Sequence, residues 1–185
     1  VVRMDPGREI LCRRGRYKHL TVEPEIETGT DQLSVTAVVV GRDRQGHDTV
    51  LLGRRGRETR IYGGMWELGP SGGVDPPPPL RASLGEADLV EAMVREIAEE
   101  LGGRVAVQPR RTCAVTHDSL ARSYDLVMLC VCDEPTQHLP ADDMLDWEYE
   151  SVRWVRTQDL RKFDQANHRA IIGPTRALFR FFGWV

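Results

Sequence analysis

The sequence predicts a mixed α/β domain, and three features of the chain lead to that class. The first is the β-branched run Leu33–Val40, which is typical of a buried central strand. The second is a set of apolar residues that recur at three- and four-residue steps over Glu86–Leu101, which predicts a helix ending at Gly102. The third is a pair of strands after that helix, Val105–Val115 and Ser123–Cys132, expected to be antiparallel neighbours. Strands on both sides of one long helix favour the α/β class.

The remaining elements follow from turn residues and short apolar runs. Four consecutive prolines after Asp75 can form neither a helix nor a central strand, so an extended surface segment is expected there. The other predicted elements are a turn at Asp43–Asp48, strands at Thr49–Leu52, Met65–Leu68 and Ser151–Val155, exposed loops at 53–64 and 69–73, a short helix at Thr157–Lys162 capped by Thr157, and a terminal helix at Asn167–Phe182.

The chain divides by composition into a polar segment, 1–30, and a domain, 31–185. The first segment is predicted to be an arm or an edge hairpin, with a strand at Arg16–Val22. Such an arm could pair with a partner subunit, which leaves a homodimer open. At 185 residues, the chain is long enough for one well-formed core and short for two.

Composition narrows the functional classes. The net charge of −3 offers no strongly basic surface, so a nucleic-acid partner is not expected. No apolar stretch reaches the ~18 residues of a membrane span, and no signal segment is apparent, so a cytoplasmic protein is expected. All basic residues except Lys18 and Lys162 are arginines, 25 − 2 = 23 of them. Arginine suits phosphate recognition, although a GC-rich genome explains the same bias.

The four cysteines are expected to be free thiols rather than zinc ligands or disulfides. They stand at Cys12, Cys113, Cys130 and Cys132, and none lies in a CxxC pair. Cys130 and Cys132 alternate within one apolar strand, so both should point to the same face and be buried.

The segment Arg95-Glu-Ile-Ala-Glu-Glu-Leu-Gly102 carries the clearest chemical pattern. On a helix, Glu96, Glu99 and Glu100 lie three and four residues apart and share one face, where like charges repel. A hard divalent cation such as Mg²⁺, or Mn²⁺, would make the cluster favourable, because carboxylate oxygens are its preferred ligands. Arg95 stands four residues from both Glu91 and Glu99 and can bridge them. The alternative is a solvated acidic helix face.

This segment resembles the Nudix box, G-x5-E-x7-R-E-U-x-E-E-x-G-U with U aliphatic. The matching positions are Arg95, Glu96, Ile97, Glu99, Glu100 and Gly102. Upstream, Gly64–Leu68 and Gly72–Asp75 are similar to the strand and Gly-rich loop that lead into the box. Downstream, Glu148–Val155 and Asp159-Leu160 are similar to a late strand and short helix of the family. The resemblance spans about Leu33 to Leu160 and implies an α/β/α sandwich with a mixed sheet between helices.

The chain departs from the box before the acidic core. Twelve residues separate Gly73 from Glu86 where the family has five, and eight separate Glu86 from Arg95 where it has seven. The final aliphatic position is Gly103. The excess falls on the proline-rich segment, where a surface loop tolerates insertion. Glu86 is therefore either the first glutamate of the box or a helix N-terminal acid.

The resemblance implies Mg²⁺-dependent hydrolysis of a nucleoside diphosphate linked to a further group X. It implies metal ligands at Glu96, Glu99 and Glu100, an orienting role for Arg95, and close backbone approach at Gly72 and Gly73. The general base could be Glu99, Glu148 or Glu150, and the last two are also explained as exposed acids of a loop.

Recognition of X is less marked in the sequence. The substrate-binding candidates beside the glycine loop are Arg55, Arg60 and Trp66, although Trp66 also suits a core position. Tyr62 and Trp147 could stack on a base. An upstream pattern of coenzyme A-cleaving members is only partly echoed, and the proline of ADP-ribose-cleaving members is absent, since Asp118 occupies that neighbourhood. Two rival functions stay open: a non-catalytic sensor of nucleotide ligands with the same fold, and an unrelated interaction module.

Overall fold

The computed structural model describes residues 2–3, 10, 12, 14–16, 18–22, 26–79, 81, 83–102, 106–136 and 148–185. Its strands are β1 (Val2–Arg3), β2 (Gln32–Arg42), β3 (Asp48–Arg55), β4 (Trp66–Glu67), β5 (Ser71–Gly73), β6 (Val107–Asp118), β7 (Ser123–Cys132) and β8 (Tyr149–Arg156). Its helices are α1 (Lys18–Thr21), α2 (Glu86–Leu101), α3 (Leu160–Asn167), entered through a 3₁₀ turn at Thr157–Asp159, and α4 (Gly173–Phe181).

The eight strands form one mixed sheet. Its main order is β1-β6-β7-β2-β3-β4, with β5 paired to β2 and β8 paired to β3. β2 and β7 run parallel over nine residue pairs, from Gln32 with Ser123 to Val40 with Val131. The pairs β2–β3, β2–β5, β3–β8 and β6–β7 are antiparallel. The long β2 strand is therefore central, as its β-branched sequence predicts.

Helices cover both faces of this sheet, which confirms the predicted α/β/α sandwich. On one face, α2 packs Met93, Ile97 and Leu101 onto Val35 and its neighbours in a buried cluster. On the other, α3 and α4 bury apolar side chains against the opposite side of β2 and β3; this second cluster includes Leu52, Leu160, Phe163, Leu178 and Phe179. Alternation along β2 supplies both clusters, because successive side chains point to opposite faces.

Most predicted elements are confirmed in place. The helix over Glu86–Leu101, the strand over Ser123–Cys132 and its antiparallel pairing with the preceding strand all match. The cysteines are free, and Cys130 and Cys132 are buried in the same cluster. None of the helices in the described part of the chain is long and apolar enough to cross a bilayer.

Several local predictions are wrong. Within Arg16–Val22, predicted as a strand, Lys18–Thr21 forms a helical turn. The predicted loop at 69–73 contains β5, because pairing with β2 satisfies its backbone. The terminal helix begins at Gly173 rather than Asn167. Thr157 donates its hydroxyl to the carbonyl of Asp48 instead of capping a helix. Trp147 and Gly103 lie outside the described residues.

Candidate active site

Helix α2 is defined at both ends by local interactions. At its start, the backbone N–H of Gly85 donates to Oδ2 of Asp88 over 2.7 Å. At its end, Gly102 adopts the left-handed conformation with φ of 62°, which glycine reaches without a Cβ penalty. Glu96 and Glu100 fall on the buried face of this helix and are only 9% and 3% exposed. Carboxylates are rarely buried so fully without partners.

The strand β5 lies directly against these two acids. A Cβ added to Gly72 would collide with the carboxylate of Glu96, so a larger residue here would displace that carboxylate from its position beside Arg95. The backbone N–H of Ser71 donates to Oε1 of Glu100 over 3.3 Å. The glycine loop and the acidic helix face are therefore brought together, as the sequence motif implies.

Arg95 connects the helix to the segment after β5. Its guanidinium donates to Oδ2 of Asp75 at 2.7 Å, to the carbonyl of Gly73 at 2.9 Å and to Oε1 of Glu96 at 2.9 Å. The predicted bridge to Glu91 and Glu99 is wrong: the chain after β5 is a nearer partner than the next turns of the helix. Arg95 nevertheless orients Glu96, because it anchors that carboxylate to the glycine strand.

Glu100 sits in a group of buried acids. Burial raises its pKa well above the ordinary value, and the charges of Glu148 and Glu67 raise it further. Glu67, on β4, accepts from Arg55 Nη1 at 2.6 Å and from the hydroxyl of Tyr149 at 3.0 Å. Burial also raises the pKa of Glu67, against the lowering effect of Arg55.

Sequence reasoning missed the roles of Glu67 and Tyr149. Tyr149 is buried with its hydroxyl near Gly69 and its ring against Gly53, and a Cβ on either glycine would meet it. Its 82-residue separation from Glu67 hides the contact from any local pattern. One signal was present: a glutamate inside the apolar run Met65–Leu68, where a buried charge needs a partner.

The structure separates the two candidates for the base on the late strand. Glu148 lines the pocket beside the glycine strand. Glu150 is exposed and forms ion pairs with Arg54 at 3.0 Å and Arg57 at 3.7 Å. A β-bulge explains the difference: Arg54 pairs with Ser151 and Arg55 with Tyr149, so Glu150 is the extra residue between them and departs from the regular alternation of the strand.

Two acidic candidates lie away from the buried pair. Glu99 is exposed on α2. As the side chains stand, no three His, Cys, Asp or Glu residues in the described ranges are grouped closely enough to hold a metal ion. Glu86 lies in the first turn of α2, about 15 Å along the helix from Glu96. It accepts from the backbone N–H of Thr112 at 3.3 Å, as a helix N-terminal acid on the surface does.

A pocket of about 240 Å³ opens from this acidic group toward α4. It is lined by four of the predicted substrate-binding residues, Arg55, Arg60, Gly72 and Gly73. Nε of Arg55 is buried without a hydrogen-bond partner among the described residues. Trp66 lies elsewhere: its ring packs edge-on against Phe163 at 5.5 Å, as the core alternative expects.

The residues around Glu100 have the ligand chemistry of a divalent-cation site, and a change of side-chain rotamer would be needed to bring three of them around one ion. Four carboxylates influence one another here, Glu67, Glu96, Glu100 and Glu148. Arg55 and Arg95 are the guanidinium groups paired with them in the described chain. Four acidic groups outnumber the two guanidinium groups, and carboxylate oxygens are hard donors of the kind that Mg²⁺ and Mn²⁺ accept.

The protein is an α/β/α sandwich in which a buried acidic helix face packs against a glycine strand. Comparison with known proteins identifies its family. The NUDIX domain profile matches residues 31–174. No curated protein sequence shows a significant match to the chain.

Solved structures share the fold. A MutT protein from Methanosarcina mazei Go1 is 24% identical, with a TM-score of 0.56 over 85% of this chain and 95% of that one. An Ap4A hydrolase binary complex from C. elegans is 18% identical, with a TM-score of 0.52 over 82% and 94%. A bifunctional NMN adenylyltransferase/ADP ribose pyrophosphatase from Francisella tularensis, complexed with AMP and a Mn ion, is 17% identical, with a TM-score of 0.55 over 89% and 44%.

The chain belongs to the Nudix hydrolase family. The domain match covers β2 to β8, α2 and the pocket lining except Thr175 and Leu178.

Proposed function

We propose that this protein is a Mg²⁺- or Mn²⁺-dependent pyrophosphohydrolase that cleaves a nucleoside diphosphate linked to a further group X. The products are a nucleoside monophosphate and phospho-X. The observation that carries the proposal is the contact between the Gly72 backbone and the Glu96 carboxylate. This contact joins an acidic helix face to a glycine strand at the mouth of a pocket. Binding of a diphosphate needs both the carboxylates, which hold the metal ion, and the glycine backbone, which the phosphates can approach closely.

The metal ligands in this proposal are Glu96, Glu99 and Glu100. A bound divalent cation neutralises diphosphate oxygens and lowers the pKa of the attacking water. Glu96 is held in place by Arg95, and Glu100 by the N–H of Ser71. Glu99, which is exposed, has the freedom to turn toward the ion by a change of rotamer.

The phosphate contacts come from the two arginines that line the pocket. Arg55 keeps an unpaired Nε beside the site while its terminal nitrogen is committed to Glu67. Arg60 is exposed at the rim and free of that constraint. Guanidinium groups bind phosphate oxygens through charge-assisted bonds, which orient the diphosphate in the pocket.

Glu148 is proposed as the general base. Water attacks one phosphorus, a new P–O bond forms, the bridging P–O bond breaks, and the proton of water passes to Glu148. Glu148 lines the pocket and Glu150 does not, which supports the assignment to Glu148. A base must reach the proton that it removes, so geometry decides first.

The chemistry named for two structural neighbours agrees with this substrate class. One is an Ap4A hydrolase, and the other is an ADP ribose pyrophosphatase with AMP and Mn bound. The candidate substrates therefore fall into four classes: nucleotide sugars, ADP-ribose-like compounds, dinucleotides and coenzyme A-like compounds. A cytoplasmic location and a homodimer stay predictions.

The direct test is a product profile. Wild-type protein is incubated with the panel and Mg²⁺ or Mn²⁺, and nucleoside monophosphate and phospho-X are measured by chromatography. Metal-dependent release of both products from at least one compound supports the proposal. Saturable binding without turnover would instead identify a ligand sensor.

A matched pair of variants tests the base. Glu148→Gln is expected to lower kcat by about 10²–10⁴-fold, the usual contribution of general base catalysis. Glu150→Gln, two residues away on the surface, should stay within about twofold because exposed ion pairs contribute little. Equal losses in the two variants would remove Glu148 from this role.

A further inference from the structure

One wall of the pocket is lined by hydroxyl side chains around one carboxylate. Thr36 of β2, Thr116 of β6, and Ser123 and Asp125 of β7 form this group, named here the hydroxyl floor. Oδ2 of Asp125 accepts from Ser123 Oγ at 3.0 Å and from Thr116 Oγ1 at 3.4 Å, and Thr36 also donates to this carboxylate. Three neighbouring strands therefore contribute to one surface.

This arrangement decides which hydrogen-bonding groups face the pocket. A hydroxyl has one hydrogen and two lone pairs. Because each hydroxyl of the floor donates its hydrogen to Asp125, only its lone pairs remain for a ligand. The pKa of Asp125 is raised, because burial and the charge of Asp118 outweigh the lowering effect of the bonds from Ser123, Thr116 and Thr36.

The adjacent wall repeats the pattern. The hydroxyl of Tyr62 donates to both carboxylate oxygens of Asp118, at 2.9 and 2.8 Å. Asp118 also accepts from the backbone N–H groups of Leu120 and Ala121, so its acceptors are occupied within the protein. The Tyr62 oxygen is thus another acceptor at the pocket surface. The hydroxyl floor and Tyr62 therefore present acceptors to a pocket that Arg55 and Arg60 also line.

The ligand group that suits the hydroxyl floor and Tyr62 is small and carries several hydrogen-bond donors. The volume of about 240 Å³ lies below the about 300–1,000 Å³ of sites that enclose drug-sized ligands, so one ring-sized group fits. The acceptors come from three strands rather than from one point, which suits hydroxyls spread around a ring better than a single ammonium group.

We propose that the hydroxyl floor is the specificity site for X and selects a sugar or similar polyol, with Asp125 as the residue that orients its acceptors. This inference rests on the proposed hydrolase function and adds the chemical class of X. A ligand without hydroxyls leaves the buried acceptors unpaired, which sites of this kind reject strongly.

The test compares substrates that share ADP and differ in X. ADP-ribose and ADP-glucose supply hydroxyls, and the methyl ester of ADP supplies none. We expect kcat/KM to be at least about tenfold higher for one of the two sugar compounds than for the methyl ester. If the methyl ester is cleaved at least as well as both sugars, the hydrolase stands and the polyol inference is overturned. Absence of turnover across the whole panel overturns both.

Two variants connect the preference to the floor. Asp125→Asn replaces an acceptor by an amide and is expected to lower kcat/KM for the sugar compound about 10- to 100-fold, with the methyl ester within about twofold. Ser123→Ala tests the same point with a smaller change if Asp125→Asn fails to fold. Ser119→Ala, on the exposed surface nearby, is the matched control. Equal loss for the sugar compound and the methyl ester would show that the floor does not recognise X.

Discussion

Two parts of the site bury carboxylates in different ways. At the acidic end, which comprises Glu67, Glu96, Glu100 and Glu148, two of the acids, Glu67 and Glu96, are paired with guanidinium groups. Glu100 accepts from the backbone N–H of Ser71 at 3.3 Å and from the hydroxyl of Tyr149. At the hydroxyl floor, Asp125 is surrounded by neutral donors from three strands. Buried charge needs partners in both places. The floor supplies them from neutral groups of the protein, whereas at the acidic end the acids outnumber the guanidinium groups, and in the proposed function a divalent cation completes the balance.

The largest expected effect comes from removing one charge at the acidic end. Glu100→Gln should lower kcat/KM by at least about 100-fold, since even groups that only support a metal ligand contribute 10–100-fold. It should also abolish the rise in Tm that Mg²⁺ produces in the wild type. Glu91→Gln, on the exposed face of the same helix, is the control and should leave both unchanged. A full Tm response in Glu100→Gln would contradict the metal assignment.

The same contrast predicts a pH dependence. The folded pKa of Glu100 is raised, so its contribution to stability is present below the unfolded value near 4.5 and is lost as pH rises through the folded pKa. A metal ligand must be deprotonated, so the Tm increment from Mg²⁺ should increase as pH rises above 4.5. Thermal unfolding from pH 5 to 8, with and without Mg²⁺, measures both trends. An increment that shrinks with rising pH would contradict this account.

Gly72→Ala breaks the contact on which the acidic end depends. The added Cβ meets the Glu96 carboxylate, so we expect a loss of about 1–3 kcal/mol in the free energy of unfolding, together with reduced activity. Gly173→Ala, where a Cβ meets nothing within 4 Å, should be neutral or slightly stabilising. Urea unfolding compares the two. Similar stabilities for both variants would mean that β5 moves freely relative to α2.

Tyr62→Phe tests the pocket wall next to the hydroxyl floor. Removing the hydroxyl leaves Asp118 with backbone donors only, at a cost of about 1–3 kcal/mol in unfolding free energy. Because no metal ligand is touched, the Mg²⁺ increment in Tm should equal that of the wild type. Loss of that increment would show that Tyr62 and the acidic group around Glu100 are coupled.

The smallest effect is expected for Glu86→Gln. Its carboxylate lies at the helix N-terminus, where a negative charge contributes about 0.3–1 kcal/mol through the helix dipole. Kinetic constants should stay within about twofold. A loss of activity as large as that of Glu100→Gln would return Glu86 to the metal site as the first glutamate of the box.

The sequence by itself determined the elements whose patterns are local. The β-branched run of β2, the periodic helix Glu86–Leu101 and the spacing of Glu96 and Glu100 each depend on neighbours within a few residues. The family resemblance adds the meeting of that helix with the Gly72 strand. Such features can be predicted from sequence because side chains repeat their direction every 2 residues in a strand and every 3.6 residues in a helix, and both periods are properties of the backbone.

Only the tertiary structure decided which partners these side chains take. Arg95 could bridge Glu91 and Glu99 on an isolated helix. In the folded chain its guanidinium instead donates to Asp75 and to the carbonyl of Gly73, which are 20 and 22 residues away. Likewise, Tyr149 reaches Glu67 across 82 residues. The hydroxyl floor exists because parallel β2 and β7 bring Thr36 beside the Asp125 strand. Contacts between distant residues leave no periodic trace in the chain, because packing and not local backbone geometry selects them.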